Sequence, residues 1–131
     1  MANAAGFRIG EVAERLGLSE RTIRYWEERG LLDTPRRSDG GSRIYLEDDV
    51  RRLRFIQRLK TLGLTLDEMR ELGDLYAARQ SNRAILPRLT ELLDAHLAAP
   101  RGRIAELRTL EAEITSYREH VSQRILEEER R

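Results

Sequence analysis

The sequence predicts an all-α chain with a small β wing: a winged helix-turn-helix domain followed by one long coiled-coil helix. Three observations carry this. Two short amphipathic stretches, residues 10–16 and 20–29, flank Gly17-Leu18-Ser19. A basic, Gly-rich segment then runs through Asp39-Gly40-Gly41 to the alternating Arg43-Ile44-Tyr45. Beyond residue 86, Leu, Ile and Val recur at seven-residue spacing.

Residues 1–6 are small and polar and are expected to be disordered. In the first helix Val12, Ala13 and Leu16, with Ile9 just before, lie on one face, and Gly17 supplies the turn. Ser19 is placed to cap the second helix, and Gly30 to stop it. The second helix carries Arg21, Thr22, Arg24 and Tyr25. A helix in this position fits the major groove of DNA, where such side chains reach base edges and phosphates. Asp39-Gly40-Gly41 between two short extended runs reads as a tight hairpin, the wing.

A third helix is expected over 47–62, with Val50, Leu53, Phe55, Ile56, Leu59 and Leu62 as its buried stripe and Gly63 as its stop. Thr65-Leu-Asp-Glu68 is a capping box that starts a fourth helix. Leu66, Met69, Leu72 and Leu75 or Tyr76 form its apolar face. The boundaries follow: a DNA-binding domain over 7–76, a polar linker over 77–85, a dimerisation helix over 86–124 and a flexible tail over 125–131. One seam of the long helix holds Leu86, Leu93, Pro100, Leu107, Ile114 and Val121; its companion holds Leu89, His96, Arg103, Leu110, Tyr117 and Arg124. A helix of roughly 35 residues, about 50 Å long, is too long and polar to fold back on so small a domain. A second copy is its natural partner, and Leu93, Leu107, Leu110, Ile114, Tyr117 and Val121 are the expected homodimer interface. Pro100 and Gly102 predict a kink near 96–100, or a break into two helices.

Composition narrows the function. Of 131 residues, 24 are Lys or Arg and 23 Asp or Glu, for a net charge of +1. Residues 1–65 hold 13 basic and 10 acidic side chains (+3), and residues 66–131 hold 11 and 13 (−2), so the first half suits a phosphate partner better. The excess of Arg over Lys reads as a bias of a GC-rich genome. With no cysteine, disulfides and thiolate metal sites are excluded in this sequence. No apolar run is long enough to span a membrane, and no signal-peptide pattern opens the chain, so a cytoplasmic location is expected. Enzymatic catalysis is not expected, since no nucleophile–base pair, phosphate loop or metal motif is recognisable.

Several segments together resemble the MerR family of bacterial transcription regulators: Phe7-Arg-Ile-Gly-Glu-Val-Ala13, Arg21-Thr-Ile-Arg-Tyr-Trp-Glu27, Gly30-Leu-Leu32, Arg36-Arg37, Gly41-Ser-Arg-Ile-Tyr45, Asp49-Val-Arg-Arg-Leu53, Phe55-Ile56 and Leu62-Gly-Leu-Thr-Leu-Asp-Glu-Met69. The resemblance covers residues 7–76. It implies that the long helix pairs antiparallel with its mate, and that the dimer binds a promoter palindrome and distorts the spacer DNA for RNA polymerase. By position it implies DNA contacts from Arg24, Tyr25, Arg37, Arg43 and Lys60, to which helix geometry adds Arg21 and Thr22. Trp26, Arg36 and Tyr45 complete the candidate DNA-binding set, with Trp26 and Tyr45 also readable as packing residues.

Three positions depart from the family pattern. Trp26 replaces a Tyr, Ser42 replaces an aromatic residue, and Leu46 stands where Ser or Thr usually caps the third helix. Metal-responsive members use thiolates near the end of the long helix, where this chain has Glu119, His120, Gln123 and Glu127-Glu128-Glu129. A polar helix end is the expected reading there, with no metal site and no cofactor. A small-molecule effector stays open, as does control without any ligand. The alternative is an architectural or excisionase-like winged-helix DNA-binding protein without promoter activation.

Overall fold

The computed structural model describes residues 6–32, 36–37 and 40–131, with no side-chain description of Arg36 or Arg37. The expected disorder of residues 1–5 lies outside the described residues; Gly6 is inside them. Helices α1 (Ile9–Leu16) and α2 (Glu20–Glu28) are followed by strands β1 (Arg36–Arg37) and β2 (Arg43–Ile44). Helices α3 (Glu47–Thr61) and α4 (Leu66–Arg79), a 3-10 turn (Asn82–Ala84) and α5 (Leu86–Glu129) complete the chain. The predicted class, helical with a small wing and a long final helix, is the observed one.

Local chemistry sets the helix ends. Gly17 at φ 67° and Gly30 at φ 79° adopt the left-handed conformation that only glycine takes without strain. After Gly30, the Leu31 N–H donates to the Trp26 carbonyl at 2.9 Å while Gly30 N–H donates to Glu27 at 3.0 Å. This paired closure drops Leu31 into the core, where it is buried. Ser19 Oγ accepts the Thr22 N–H at 3.0 Å, as expected of an N-cap. Leu46 offers α3 no side-chain cap, but the Asp49 carboxylate accepts its N–H at 2.8 Å and supplies half of a capping box.

The chain divides into two compact units, residues 1–93 and 94–131. In the first, Val12, Ile23, Trp26, Val50, Leu53 and Leu72 form the dry centre of one core. Leu62 was expected in the buried stripe of α3 but is half exposed, because the helix ends at Thr61 and the backbone turns away there. The expected linker, 77–85, is mostly structured. Helix α4 reaches Arg79, and Ser81 Oγ accepts the Arg83 N–H at 3.2 Å to start the 3-10 turn. That turn delivers Ile85 to the core, joined by Leu92 from the first turns of α5. An ion pair between Glu71 and Arg88 ties α4 to the start of α5. The Arg88 guanidinium holds the Glu71 carboxyl below its usual range.

The second unit is the remainder of α5. The helix is continuous through Pro100, so the break does not occur. Its helical span ends at Glu129, so the expected flexible tail is helical over most of its length. Leu107, Ile114 and Tyr117 are 57%, 60% and 69% exposed.

The capping box at α4 carries a prediction. Thr65 Oγ1 accepts the Glu68 N–H at 3.1 Å, and Glu68 accepts the Thr65 N–H at 2.8 Å. Thr65→Ala is expected to lower the unfolding free energy by about 1 kcal/mol, measured by urea denaturation. A change below about 0.3 kcal/mol contradicts a capping role for this side chain.

Candidate nucleic-acid interface

Helical periodicity divides α2 into two faces. Ile23 and Trp26 turn inward and are buried. Arg21, Arg24, Tyr25 and Glu28 turn outward and are exposed. Arg24 pairs with Glu20 at 3.2 Å, one helical turn away. Exposed pairs of this kind contribute only about 0.3–0.5 kcal/mol, so Glu20 holds Arg24 weakly. The Arg29 guanidinium lies over the Tyr25 ring, 6.0 Å from its centroid. The Thr22 hydroxyl is hydrogen-bonded to Ser19 Oγ at 2.8 Å, which places Thr22 in the cap of the helix as well as in the candidate set.

The wing is a two-stranded antiparallel hairpin, with Arg36 opposite Ile44 and Arg37 opposite Arg43. Its turn residue Asp39 lies outside the described residues. The base of the hairpin is fastened twice. Phe7 and Tyr45 exchange backbone hydrogen bonds of 2.7 and 2.8 Å. On the other side, the Tyr45 hydroxyl donates to Glu27 Oε1. Arg43 Nε lies 3.2 Å from Glu27 Oε2 as an ion pair, although the approach falls outside hydrogen-bond angles.

Burial makes these contacts matter. The Glu27 side chain is 6% exposed and that of Arg43 27%. Two unit charges 3.2 Å apart attract by on the order of 5 kcal/mol at an effective dielectric of about 20, before desolvation is subtracted. The Tyr45 hydroxyl titrates well above its ordinary range, first because it is buried and second because it donates to Glu27.

Two candidate DNA contacts are therefore corrected. Trp26 is 1% exposed and sits in the core, because its large ring continues the inward face set by Ile23. Its indole nitrogen finds no hydrogen-bond partner among the described residues. Tyr45 is 2% exposed and gives its hydroxyl to Glu27, so it packs the wing onto the helix instead of reaching phosphate. Lys60 remains exposed, with Nζ 5.9 Å from the centre of the Trp26 ring, so α3 brings its terminal cation beside α2. The sequence reading missed Glu27. Its signal was an acidic residue four positions after Ile23, on the buried face, matched by Arg43 and Tyr45 two apart on one strand face.

The raised Tyr45 titration gives a signed expectation. A phenol whose folded value exceeds its unfolded value near 10 contributes stability that is complete below pH 10 and is lost as pH rises toward the folded value. Denaturation between pH 8 and 11 should therefore show wild-type stability falling faster than that of Tyr45→Phe above pH 10, by up to about 1.4 kcal/mol per pH unit. Parallel curves contradict the buried Tyr45–Glu27 contact.

Comparison with known proteins agrees with this geometry. The family described as MerR HTH family regulatory protein matches residues 7–74, and the family described as MerR, DNA binding matches residues 50–117. The chain is 35% identical over 112 residues to the HTH-type transcriptional regulator ZntR homolog of Haemophilus influenzae, covering 86% of this chain and 81% of that one. It is 47% identical over 66 residues to the mercuric resistance operon regulatory protein of Bacillus cereus, spanning half of each protein. Among solved structures, the transcription regulator PbrR691 from Ralstonia metallidurans CH34 in complex with lead(II) is 38% identical. It aligns with a TM-score of 0.63 over 86% of this chain and 85% of that one. With the family matched over more than half its length, the chain belongs to the MerR family of DNA-binding transcriptional regulators, which are not enzymes.

Proposed function

We propose that the chain acts as a homodimer that binds a promoter palindrome, distorts the spacer DNA and so controls transcription by RNA polymerase. The observation that carries this reading is the outward face of α2, Arg21, Arg24 and Tyr25, set beside a wing that brings Arg36, Arg37 and Arg43 into the same unit. Arg24 reads bases in the major groove, and Lys60 holds a phosphate. The flanking hairpin rests on the backbone, as wings do.

The second unit supports dimerisation. Residues 94–129 of this unit form a single helix with a line of exposed Leu, Ile and Val, and an apolar face of this kind is stable only when covered. Leu107, Leu110, Ile114, Tyr117 and Val121 lie on the seam, with Ile104 and Ile125 beside it. Leu93 is half buried against the core of the first unit, so its share in the interface is the smallest of the set.

These 131 residues supply no thiolate to an effector metal, since none of them is cysteine. The PbrR691 structure holds lead(II) and the Bacillus cereus relative is a mercuric resistance regulator, so this chain departs in chemistry from neighbours that its fold resembles.

Three experiments test this reading. In fluorescence anisotropy with a promoter duplex, Arg24→Ala is expected to weaken specific binding by about 1–3 kcal/mol. Lys60→Ala should weaken all duplexes alike and reduce the salt slope by about 1. A changed base preference with an unchanged salt slope for Lys60→Ala contradicts its role. In sedimentation, Leu107→Asp and Ile114→Asp should yield monomers with poor promoter affinity, and an intact dimer contradicts the coiled-coil interface. A footprint extending as an array, in place of one protected palindrome, favours the architectural alternative.

A further inference from the structure

The wing and α2 are joined through one buried acidic side chain. Arg43 and Tyr45 stand two residues apart, so their side chains leave the same face of the strand. Both end on Glu27, Arg43 on Oε2 and Tyr45 on Oε1. Glu27 belongs to α2, two residues from Tyr25 and so roughly opposite it on the helix, and three residues from Arg24, whose face adjoins its own. Because Arg43 pairs across the hairpin with Arg37, whatever fixes Arg43 also fixes the strand that carries Arg36 and Arg37.

We infer that Glu27 is the positioning residue that locks the wing to α2, so that base-reading and backbone-gripping groups act at a fixed separation. The inference rests on the reading of α2 and the wing as the DNA-binding surface. Arg43 thereby works mainly as a strut. Its Nε is buried against a carboxylate, so this pair contributes little net charge toward phosphates. A negative group within a DNA-binding surface lowers non-specific attraction, and its benefit is geometric: a wing held in one place favours the duplex whose shape matches it.

A structural role alone predicts only lost stability on substitution. A positioning role predicts a split between specific and non-specific binding. Glu27→Gln keeps an acceptor for Tyr45 and removes the charge that holds Arg43. On a duplex selected from a random pool by the wild-type chain, E27Q is expected to lose about tenfold in specific affinity. On a scrambled duplex it is expected to keep its affinity or gain up to about threefold, because one negative charge is gone. Without DNA, amide hydrogen exchange at Phe7, Arg43 and Tyr45 should quicken at least tenfold while amides within α3 and α4 stay unchanged.

Unchanged wing exchange together with an unchanged specific-to-scrambled ratio overturns the inference, as does an equal loss on both duplexes. If the wild-type chain prefers no duplex, the DNA-binding reading fails, and the exchange experiment still decides whether Glu27 holds the wing. Should E27Q not fold, R43Q removes the same pair from its more exposed side and is expected to quicken the same amides; because it removes a cation, it should lose affinity on both duplexes, with a several-fold larger loss on the selected one, and an equal loss overturns the inference.

Discussion

A carboxylate withdrawn from water is the constraint around which the DNA-binding unit is organised. Glu27 has a small remnant of exposure and faces a cation and a phenol from the neighbouring strand. Such a group cannot be left alone: breaking a buried pair by removing one partner typically costs about 3–5 kcal/mol. The pair therefore holds its geometry far more firmly than the surface pairs elsewhere in the chain. Arg24–Glu20 and Arg15–Glu47, both substantially exposed, are free to exchange partners. The molecule thus separates a rigid, buried charge pair from loose, exposed ones.

Burial of large aromatic side chains supports that arrangement. Trp26 and Tyr45 are the largest of the fully buried residues, and they anchor α2 and the base of the wing respectively. Lys60 sits over the edge of this platform near the Trp26 ring. Core packing and the outward set of cations are consequently two sides of one short helix. Burial of Trp26 fixes where Arg24 and Tyr25 stand on the outward face.

Much of this was legible in the sequence because it depends on local chemistry. Ser19, Thr65 and the glycine after α2 act on backbone groups within one helical turn, so their effect follows from position alone. The fate of Trp26 and Tyr45 was not local. An aromatic side chain next to basic residues reads equally as core or contact until a third element covers it, and here β2 and α2 cover each other. Glu27 was overlooked because its partners lie 16 and 18 positions away, across a hairpin. The stretch before α5 was misread for a related reason: Ile85 closes a polar run, Gln80-Ser-Asn-Arg83, and the Ser81-capped turn sends it inward. The proline at position 100 carries a general penalty of about 3 kcal/mol inside a helix, yet α5 runs through it and through Gly102, with helix formers Leu97, Ala98 and Ala99 just before.

A double-mutant cycle on Glu27 and Arg43 tests the central claim most directly. Unfolding free energies of the wild type, Glu27→Gln, Arg43→Gln and the double variant isolate the energy that belongs to the pair alone. A coupling of about 1–3 kcal/mol in favour of the native pair is expected from its burial. Additive losses, with coupling below about 0.3 kcal/mol, would show that the two side chains act independently and that the wing is held by Phe7 and the core instead.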